Sequence, residues 1–219
     1  MSAFVIHSIP GSPFGRAVLA ALEEKHNAYR LRAVAPAAIR GAEHLALHPF
    51  GRVPVLEHGD YRLYETQAIL RYLDRVLPEP ALTPADARAA GRMDQALNVN
   101  DWYLFPGVAN VIAFQRVVRP RLLGLAADEA AIAEAMPRAT RVFAELARLL
   151  GAQPFFAGED LSLADLVIAA QLDFFLETPE WPVLAGPHPA LAAWLGRLRD
   201  RPSRRATTWE RVAALAVAA

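Results

Sequence analysis

The sequence predicts an α/β domain with the element order β-α-β-α-β-β-α, followed by an all-helical domain. Short apolar runs alternate with amphipathic stretches over residues 1–77. Three prolines then interrupt the pattern at positions 78, 80 and 84, and helical periodicity continues beyond them. Such a stretch is typical of a linker, so we expect one domain over residues 1–79 and a second over residues 87–219.

The first domain opens with elements of both kinds. Phe4–His7 is a short apolar run that stops at Pro10-Gly11, which predicts a buried strand ending in a turn. A helix is expected from about Pro13, because proline fits the first turn of a helix. Tyr29–Val34 alternates again and predicts a second strand, and a weaker helix follows over about Ala37–Leu47.

A β-hairpin is expected next. Strand patterns at Val53–Leu56 and Tyr61–Tyr64 flank the turn residues His58-Gly59-Asp60. Pro54 lies inside the first pattern, although proline removes a ladder hydrogen bond. Either this strand lies at the edge of the sheet, or the Val53-Pro54 bond is cis and turns the Val53 backbone outward to pair with an extended ligand.

The last helix of the first domain begins at Glu65-Thr66. Thr66 fits the N-cap position, and the unpaired N–H groups of the first turn favour binding of a carboxylate. Taken alone, the pair is most simply a helix start, with a ligand site as the alternative.

The second domain carries a strong helix signal at residues 161–166. Ser162 can cap a helix and Asp165 can reach back to it, while Leu161 and Leu166 occupy the hydrophobic-staple positions. The residues that follow are apolar nearly all round, which predicts a buried central helix. Asp165 is therefore interpreted as a folding device rather than a catalyst.

A second helix is expected where apolar side chains recur at steps of three and four over residues 132–150. Pro106 and Pro137 are expected to break or kink the helices that contain them.

Composition excludes several classes of function. Basic and acidic residues balance at 23 each in 219 residues, so no net charge attracts nucleic acid or an anionic membrane. The chain has no cysteine, which removes disulfides, thiolate metal sites and a cysteine nucleophile. No signal peptide or apolar run of about 18 residues is evident, so we expect a cytoplasmic protein without a membrane span. His44 and His48 are four residues apart but have no third ligand nearby, so no metal site is predicted.

Three blocks in order give the chain a resemblance over nearly its whole length. They are HPFGRVPVLEHGDYRLYETQAILRYLD, SLADLVIAA and HPALAAWLGRLRDRPS. Together they resemble the glutathione transferase family, and the chain is similar to its serine-type, bacterial-like cytosolic members. The resemblance implies a thioredoxin-like domain followed by a helical domain.

The family's glutathione-binding positions transfer residue by residue. By this resemblance, Val53 pairs its backbone with the cysteinyl part of glutathione, and a cis Pro54 fixes the turn. Glu65 and Thr66 hold the γ-glutamyl end. Arg52 matches a position that often helps to bind glutathione, and a solvated surface arginine is the alternative. Two further residues, Arg40 and His44, lie where some members contact the glycine carboxylate, and neither is assigned a role. His48 stands where many relatives have asparagine.

The segment PGSPFGRAV resembles the serine-type version of the family's catalytic turn and places the active hydroxyl at Ser12. A thiolate is the nucleophilic form of a thiol. A hydroxyl that donates a hydrogen bond to sulfur, beside the positive end of a helix, favours that anion. Ser8 is the competing candidate, because the end of the strand is uncertain by a few residues. A plain turn residue is the alternative role for Ser12.

Aromatic and polar residues cluster where the family's second domain faces the bound thiol. They could form a wall for a hydrophobic electrophile, and ordinary core packing explains them equally well. They are Trp102, Tyr103, Phe105, Asn110, Phe114 and Arg116.

The resemblance implies an enzyme that conjugates glutathione, as co-substrate, to a small hydrophobic electrophile in detoxification or catabolism. Isomerisation, dehalogenation and peroxide reduction stay open as reaction subclasses. The alternative function is a non-catalytic module of the same fold that binds glutathione or apolar ligands or serves in assembly. The family resemblance also predicts a two-fold homodimer.

Overall fold

A mixed four-stranded sheet organises the first part of the chain in the computed structural model, which describes residues 3–218. The strand order is β2-β1-β3-β4. Strand β1 (Phe4–Ser8) runs parallel to β2 (Tyr29–Ala33) and antiparallel to β3 (Val55–His58), which pairs with β4 (Tyr61–Tyr64). The predicted β-α-β-α-β-β-α order and the hairpin are therefore confirmed.

Three helices accompany this sheet: α1 (Pro13–Glu24), α2 (Ala42–Leu47) and α3 (Thr66–Val76). Ile6, Leu19, Leu22, Leu56, Ile69 and Leu73 are fully buried in this first core. The helix predicted over residues 37–47 is interrupted. A 3-10 turn (Pro36–Arg40) precedes α2, because Gly41 between them has an extended backbone (φ −72°, ψ 153°). Strand β3 starts at Val55 rather than at Val53, since Pro54 has no N–H to donate to a ladder.

The middle of the chain is helical. Its elements are α4 (Ala87–Val99), a kinked helix (Asn100–Leu123), α5 (Glu129–Leu150), α6 (Leu163–Leu172), a 3-10 turn (Asp173–Phe175), α7 (Trp181–Ala185) and α8 (Pro189–Arg199). The kinked helix breaks at Pro106-Gly107, as the sequence predicts. Pro137 instead lies inside helix α5, which continues through it, so of the two predicted effects a break does not occur there.

The predicted capping box begins α6, and every residue of that helix is buried. The Asp165 carboxylate accepts the Ser162 N–H at 2.9 Å and the Ser162 hydroxyl at 2.6 Å. It also accepts the Phe156 N–H at 3.0 Å and the Trp194 indole N–H at 2.9 Å. Burial raises the pKa of Asp165, and these four donors oppose that rise. Asp165 thus joins three segments of the helical core.

The chain ends in two short helices, α9 (Pro202–Ala206) and α10 (Trp209–Ala218). The chain divides into two compact units. One unit spans Leu82–Leu198, and the other combines the residues up to Ala81 with those from Arg199 onward. Helix α9 packs on α1 and α10 on β2. An ion pair also joins this terminal stretch to α1, because the Arg201 guanidinium donates two hydrogen bonds to the Glu24 carboxylate, each at 2.7 Å. The expected domain of residues 87–219 therefore contains a terminal stretch that packs with the first unit.

Candidate active site

The sheet register brings three of the predicted binding segments to one end of the sheet. His7 of β1 pairs with Val55 of β3, and Val55 pairs in turn with Tyr64 of β4. The chain leaves β1 toward Ser12 at this end, enters β3 from Val53-Pro54, and leaves β4 into Glu65-Thr66. Because β1 pairs with β3 of the hairpin, the sheet brings together residues that are up to 54 positions apart in the sequence.

Ser12 caps the first helix. The chain turns after β1 through Gly11 at φ +88°, and the Ser12 N–H donates to the Ile9 carbonyl at 2.9 Å. The Ser12 oxygen then accepts the Gly15 N–H at 3.2 Å, which makes Ser12 the N-cap of α1. Since that bond uses the oxygen as acceptor, the hydroxyl hydrogen stays available for donation to a ligand at the positive end of the helix.

Ser8 occupies a different environment. It is the last residue of β1 and is 1% exposed, whereas Ser12 is half-buried. A β-carbon placed on Gly15 would lie 1.9 Å from the Ser8 hydroxyl oxygen, so this hydroxyl faces α1. The packing favours Ser12 over Ser8 as the hydroxyl that a bound molecule can reach.

The second segment lies just before β3. The Val53-Pro54 peptide bond is cis, as one of the two sequence interpretations predicts. Pro54 is buried, Val53 is half-buried and the Arg52 side chain is exposed. The Arg52 main-chain carbonyl accepts a hydrogen bond from His44 Nε2 at 2.8 Å.

The third segment begins α3. Glu65 occupies the N-cap position with φ +72° and is exposed, and Thr66 is the first helical residue. The expectation that Thr66 caps the helix is therefore wrong by one position. A non-glycine residue in the left-handed region costs about 1–3 kcal/mol, and such residues concentrate at functional sites. The exposed Glu65 carboxylate beside a helix N-terminus can pair with a ligand ammonium group.

The side chains of the two histidines in the α2 region both hydrogen-bond to main-chain groups. His44 and His48 are both buried. His48 Nδ1 accepts the Phe50 N–H at 3.3 Å, and its ring lies 4.6 Å from the Tyr64 ring, centroid to centroid. Burial lowers the pKa of His48, although Glu65 opposes the change. Over residues 3–218, no group of three or more His, Cys, Asp or Glu side chains could hold a metal ion.

Arg40 is exposed and its guanidinium reaches the Phe50 carbonyl at 3.5 Å. Its contact is thus with the loop that leads to Val53.

The aromatic residues that could form either an electrophile wall or part of the core lie on the kinked helix. Trp102 is 68% exposed and Tyr103 is 56% exposed, so core packing does not account for them. The helix breaks between these residues and Asn110, whose side-chain oxygen accepts the Gly107 N–H at 2.6 Å. Arg138 of α5 donates a hydrogen bond to the Trp102 carbonyl at 3.0 Å, on the N-terminal side of the break.

Three other members of the same cluster differ from this pair. Phe105 is half-buried and Phe114 is 37% exposed. Arg116 instead holds two carboxylates, Glu180 at 2.6 Å and Glu129 at 2.5 Å. These partners raise the pKa of Arg116, and the largest cause is the hydrogen bonding that Arg116 donates to the Glu180 carboxylate. Arg116 therefore ties the helices of this unit together.

Sequence reasoning missed two contacts of the candidate site. His44 bonds the residue before Val53, and Trp209 packs on the residue before Ser12. Neither contact has a local sequence signal, because the partners are brought together by tertiary packing.

Over residues 3–218, no helix has the length and apolar character needed to cross a membrane.

Comparison with known proteins gives two family matches. Residues 3–75 match the model described as glutathione S-transferase, N-terminal domain, and residues 108–202 match glutathione S-transferase, C-terminal domain. Glutathione S-transferase F14 of Arabidopsis thaliana is 35% identical over 161 residues, which cover 72% of this chain and 63% of that protein. Glutathione S-transferase 1 of Zea mays is 32% identical, over 84% of this chain and 85% of that protein.

Solved structures agree. A glutathione S-transferase-I structure bound with lactoylglutathione superposes with a TM-score of 0.82 and 28% identity, covering 98% of this chain and 100% of that one. Both sequence relatives above are plant proteins. They do not support the expected bacterial-like subclass.

Proposed function

Because the chain belongs to the glutathione S-transferase family, we propose that it conjugates the thiolate of glutathione to a small hydrophobic electrophile. Glutathione is the co-substrate. The observation that carries the proposal is the convergence of Ser12, Val53-Pro54 and Glu65-Thr66 at one end of a four-stranded sheet. These are the segments that the family resemblance assigns to glutathione.

The glutathione molecule is held along these segments. The Val53 backbone pairs with the cysteinyl part beside the cis Pro54, in the manner of an added strand. Glu65 and Thr66 take the γ-glutamyl end, where an exposed carboxylate suits an ammonium group and a helix N-terminus suits a carboxylate. Arg52 is exposed next to Val53 and adds a positive charge for a carboxylate of the tripeptide.

Ser12 activates the sulfur, which makes this a serine-type enzyme. A free cysteine thiol has a pKa of about 8.5, so most of it is protonated at neutral pH. Donation of the Ser12 hydroxyl hydrogen to sulfur, at the N-terminus of α1, stabilises the thiolate relative to the thiol. The thiolate then attacks an electrophilic carbon and forms a C–S bond. Either a leaving group departs with its bonding electron pair, or an activated double bond opens and its other carbon takes a proton from water. Holding the two reactants together supplies the remaining rate enhancement.

The electrophile is hydrophobic. Trp102 and Tyr103 expose large aromatic surface on the kinked helix, and such surface binds apolar molecules. Detoxification or catabolism of reactive small molecules follows from this chemistry.

Three further expectations accompany the proposal. Residues 1–79 act as the glutathione domain and residues 87–219 as the electrophile domain, with the stretch from Arg199 packed on the former. The protein forms a two-fold homodimer, as the family resemblance implies. It works in the cytoplasm, as its cysteine-free sequence suggests.

A non-catalytic binding or assembly module is the alternative, and it is not favoured because the relatives compared are named as transferases. The test is a chromogenic conjugation assay on the wild type, Ser12→Ala and Ser8→Ala, with several electrophile classes. We expect turnover by the wild type, a loss of about 10²-fold or more in Ser12→Ala and a smaller change in Ser8→Ala. Glutathione binding without turnover on any electrophile would favour the binding module instead.

A further inference from the structure

His44 makes a buried hydrogen bond to the main chain of the candidate site. The residue lies on α2 and is 5% exposed. Its Nε2 lies 2.8 Å from the Arg52 carbonyl oxygen. Since a carbonyl oxygen only accepts, Nε2 must carry the hydrogen. The bond joins a helix to a loop residue that belongs to no helix or strand.

The peptide unit that follows the Arg52 carbonyl carries the Val53 N–H. The cis peptide bonds of residues 3–218 are Val53-Pro54 and Glu79-Pro80, so the Arg52-Val53 unit is trans. The C=O and N–H of a trans peptide are coplanar and point in opposite directions. Because His44 holds the carbonyl toward α2, the Val53 N–H is directed away from α2.

The other hydrogen bonds that hold this loop are made by residues that precede Arg52. The Gly51 N–H donates to the His48 carbonyl at 2.9 Å, and Arg40 contacts the Phe50 carbonyl. Gly51 itself has φ +59°, and a β-carbon there would lie 2.6 Å from the Ile39 carbonyl oxygen. These contacts fix the loop through Gly51, and the His44 bond fixes the peptide that carries the Val53 N–H.

We propose that His44 is a positioning residue for glutathione: its hydrogen bond to the Arg52 carbonyl orients the Val53 backbone N–H toward the cysteinyl part of the tripeptide. This inference rests on the proposed function, in which the Val53 backbone binds glutathione. His44 itself does not touch the reacting sulfur. Its loss should therefore weaken glutathione binding and leave the chemical step nearly intact once glutathione saturates the enzyme.

The experiment compares substitutions that keep or remove the donor. His44→Gln carries an amide N–H that can reach the position of Nε2, and His44→Leu carries no donor. Thr178→Val is the matched control, because Thr178 is buried in the helical unit and its hydroxyl donates to the Phe175 carbonyl at the same 2.8 Å. Reduced glutathione binding is measured by calorimetry, and KM and kcat are measured with one electrophile at saturation.

We expect His44→Leu to raise the Kd and KM for glutathione about tenfold while kcat changes less than about threefold. His44→Gln should stay within about threefold of the wild type in all three quantities. Thr178→Val should lower Tm and leave the Kd unchanged. If His44→Leu does not fold, His44→Asn takes its place, since the shorter amide does not reach the Arg52 oxygen.

An unchanged Kd in the donor-free variant overturns the inference, as does a Gln variant no better than the Leu variant. A loss of kcat at saturation with an unchanged KM also overturns it. A wild type that does not bind glutathione at all overturns the proposed function instead, so the two failures are distinguishable.

Discussion

The Trp209 indole packs against the α-carbon of Gly11, the residue that precedes Ser12. A β-carbon placed on Gly11 would lie 2.5–2.7 Å from three carbon atoms of this ring. Gly11 also has φ +88°, a conformation that side chains of L-residues rarely adopt. Helix α10 therefore supports the turn that presents the Ser12 hydroxyl.

Gly11→Ala should lower both stability and turnover. The new methyl group must displace the Trp209 ring, and the alanine backbone must adopt an unfavourable φ. Together these effects lower the free energy of unfolding by about 1–3 kcal/mol. The Ser12 turn then shifts, and we expect kcat to fall by about tenfold or more. Urea denaturation and the conjugation assay measure the two effects.

Gly91→Ala is the control for that substitution. Gly91 lies inside α4 with no atom within 4 Å of an added β-carbon. The change should leave activity intact and raise stability by up to about 1 kcal/mol, because alanine favours helix. Equal behaviour of the two variants would contradict the role of the Gly11–Trp209 contact.

Removal of the Asp165 carboxylate should be strongly destabilising. Asp165→Ala leaves the buried N–H groups of Ser162, Phe156 and Trp194 without their acceptor. We expect a loss of about 3–5 kcal/mol, or no folded protein. Asp86→Ala removes an exposed N-cap that accepts from Arg88 and Ala89, so it should cost only about 1 kcal/mol. Chemical denaturation of both variants checks the difference, and comparable losses would contradict the assignment.

The contribution of Glu24 to stability should depend on pH. Burial acts to raise the pKa of Glu24, but Arg201 and Ser203 bond its carboxylate and bring the pKa below its ordinary value of 4.5. A pKa lowered by folding adds stability that is fully present above the unfolded-state pKa and disappears as pH falls through the folded-state value.

Glu24→Gln should therefore be less stable than the wild type at pH 7, and the difference should shrink as the pH falls below about 4.5. Urea denaturation across this range measures it. A difference that is constant with pH would mean that the ion pair with Arg201 does not stabilise the fold.

Arg138 should affect the electrophile rather than glutathione. Its guanidinium donates to the Trp102 carbonyl and lies 3.4 Å from a β-carbon placed on Gly107, so it supports the break that presents Trp102 and Tyr103. Arg138→Ala should raise KM for a hydrophobic electrophile several-fold and leave the Kd of glutathione unchanged. Arg141→Ala, an exposed residue one turn along α5, is the control. A higher Kd for glutathione in Arg138→Ala, with no such change in Arg141→Ala, would argue against this division of roles.

Local patterns carried much of the fold. Periodicity gave the first seven elements, and the Ser162–Asp165 spacing gave the capped central helix. These features depend on residues within a few positions of one another, so one sequence is enough to find them. The interruption at Gly41 was missed because glycine tolerates both helical and extended backbone.

Long-range contacts were harder to predict. The pairing of Arg201 with Glu24 and the packing of Trp209 on Gly11 join residues about 180 to 200 positions apart, and no periodic pattern announces them. The same holds for His44, whose partner is a main-chain carbonyl and leaves no mark on residue choice at position 52. The resemblance to a family supplied the candidate residues at the sheet end, and periodicity alone did not.

The most direct measurement of the central claim is the pH titration of enzyme-bound glutathione by the ultraviolet absorbance of its thiolate, in the wild type and in Ser12→Ala. The free thiol has a pKa of about 8.5. We predict that the pKa of the bound thiol in the wild type is lower by at least about one unit. In Ser12→Ala the pKa should return toward the free value. Identical titration curves for the two proteins, or a wild-type curve that matches free glutathione, would contradict the assignment of Ser12 as the residue that stabilises the thiolate.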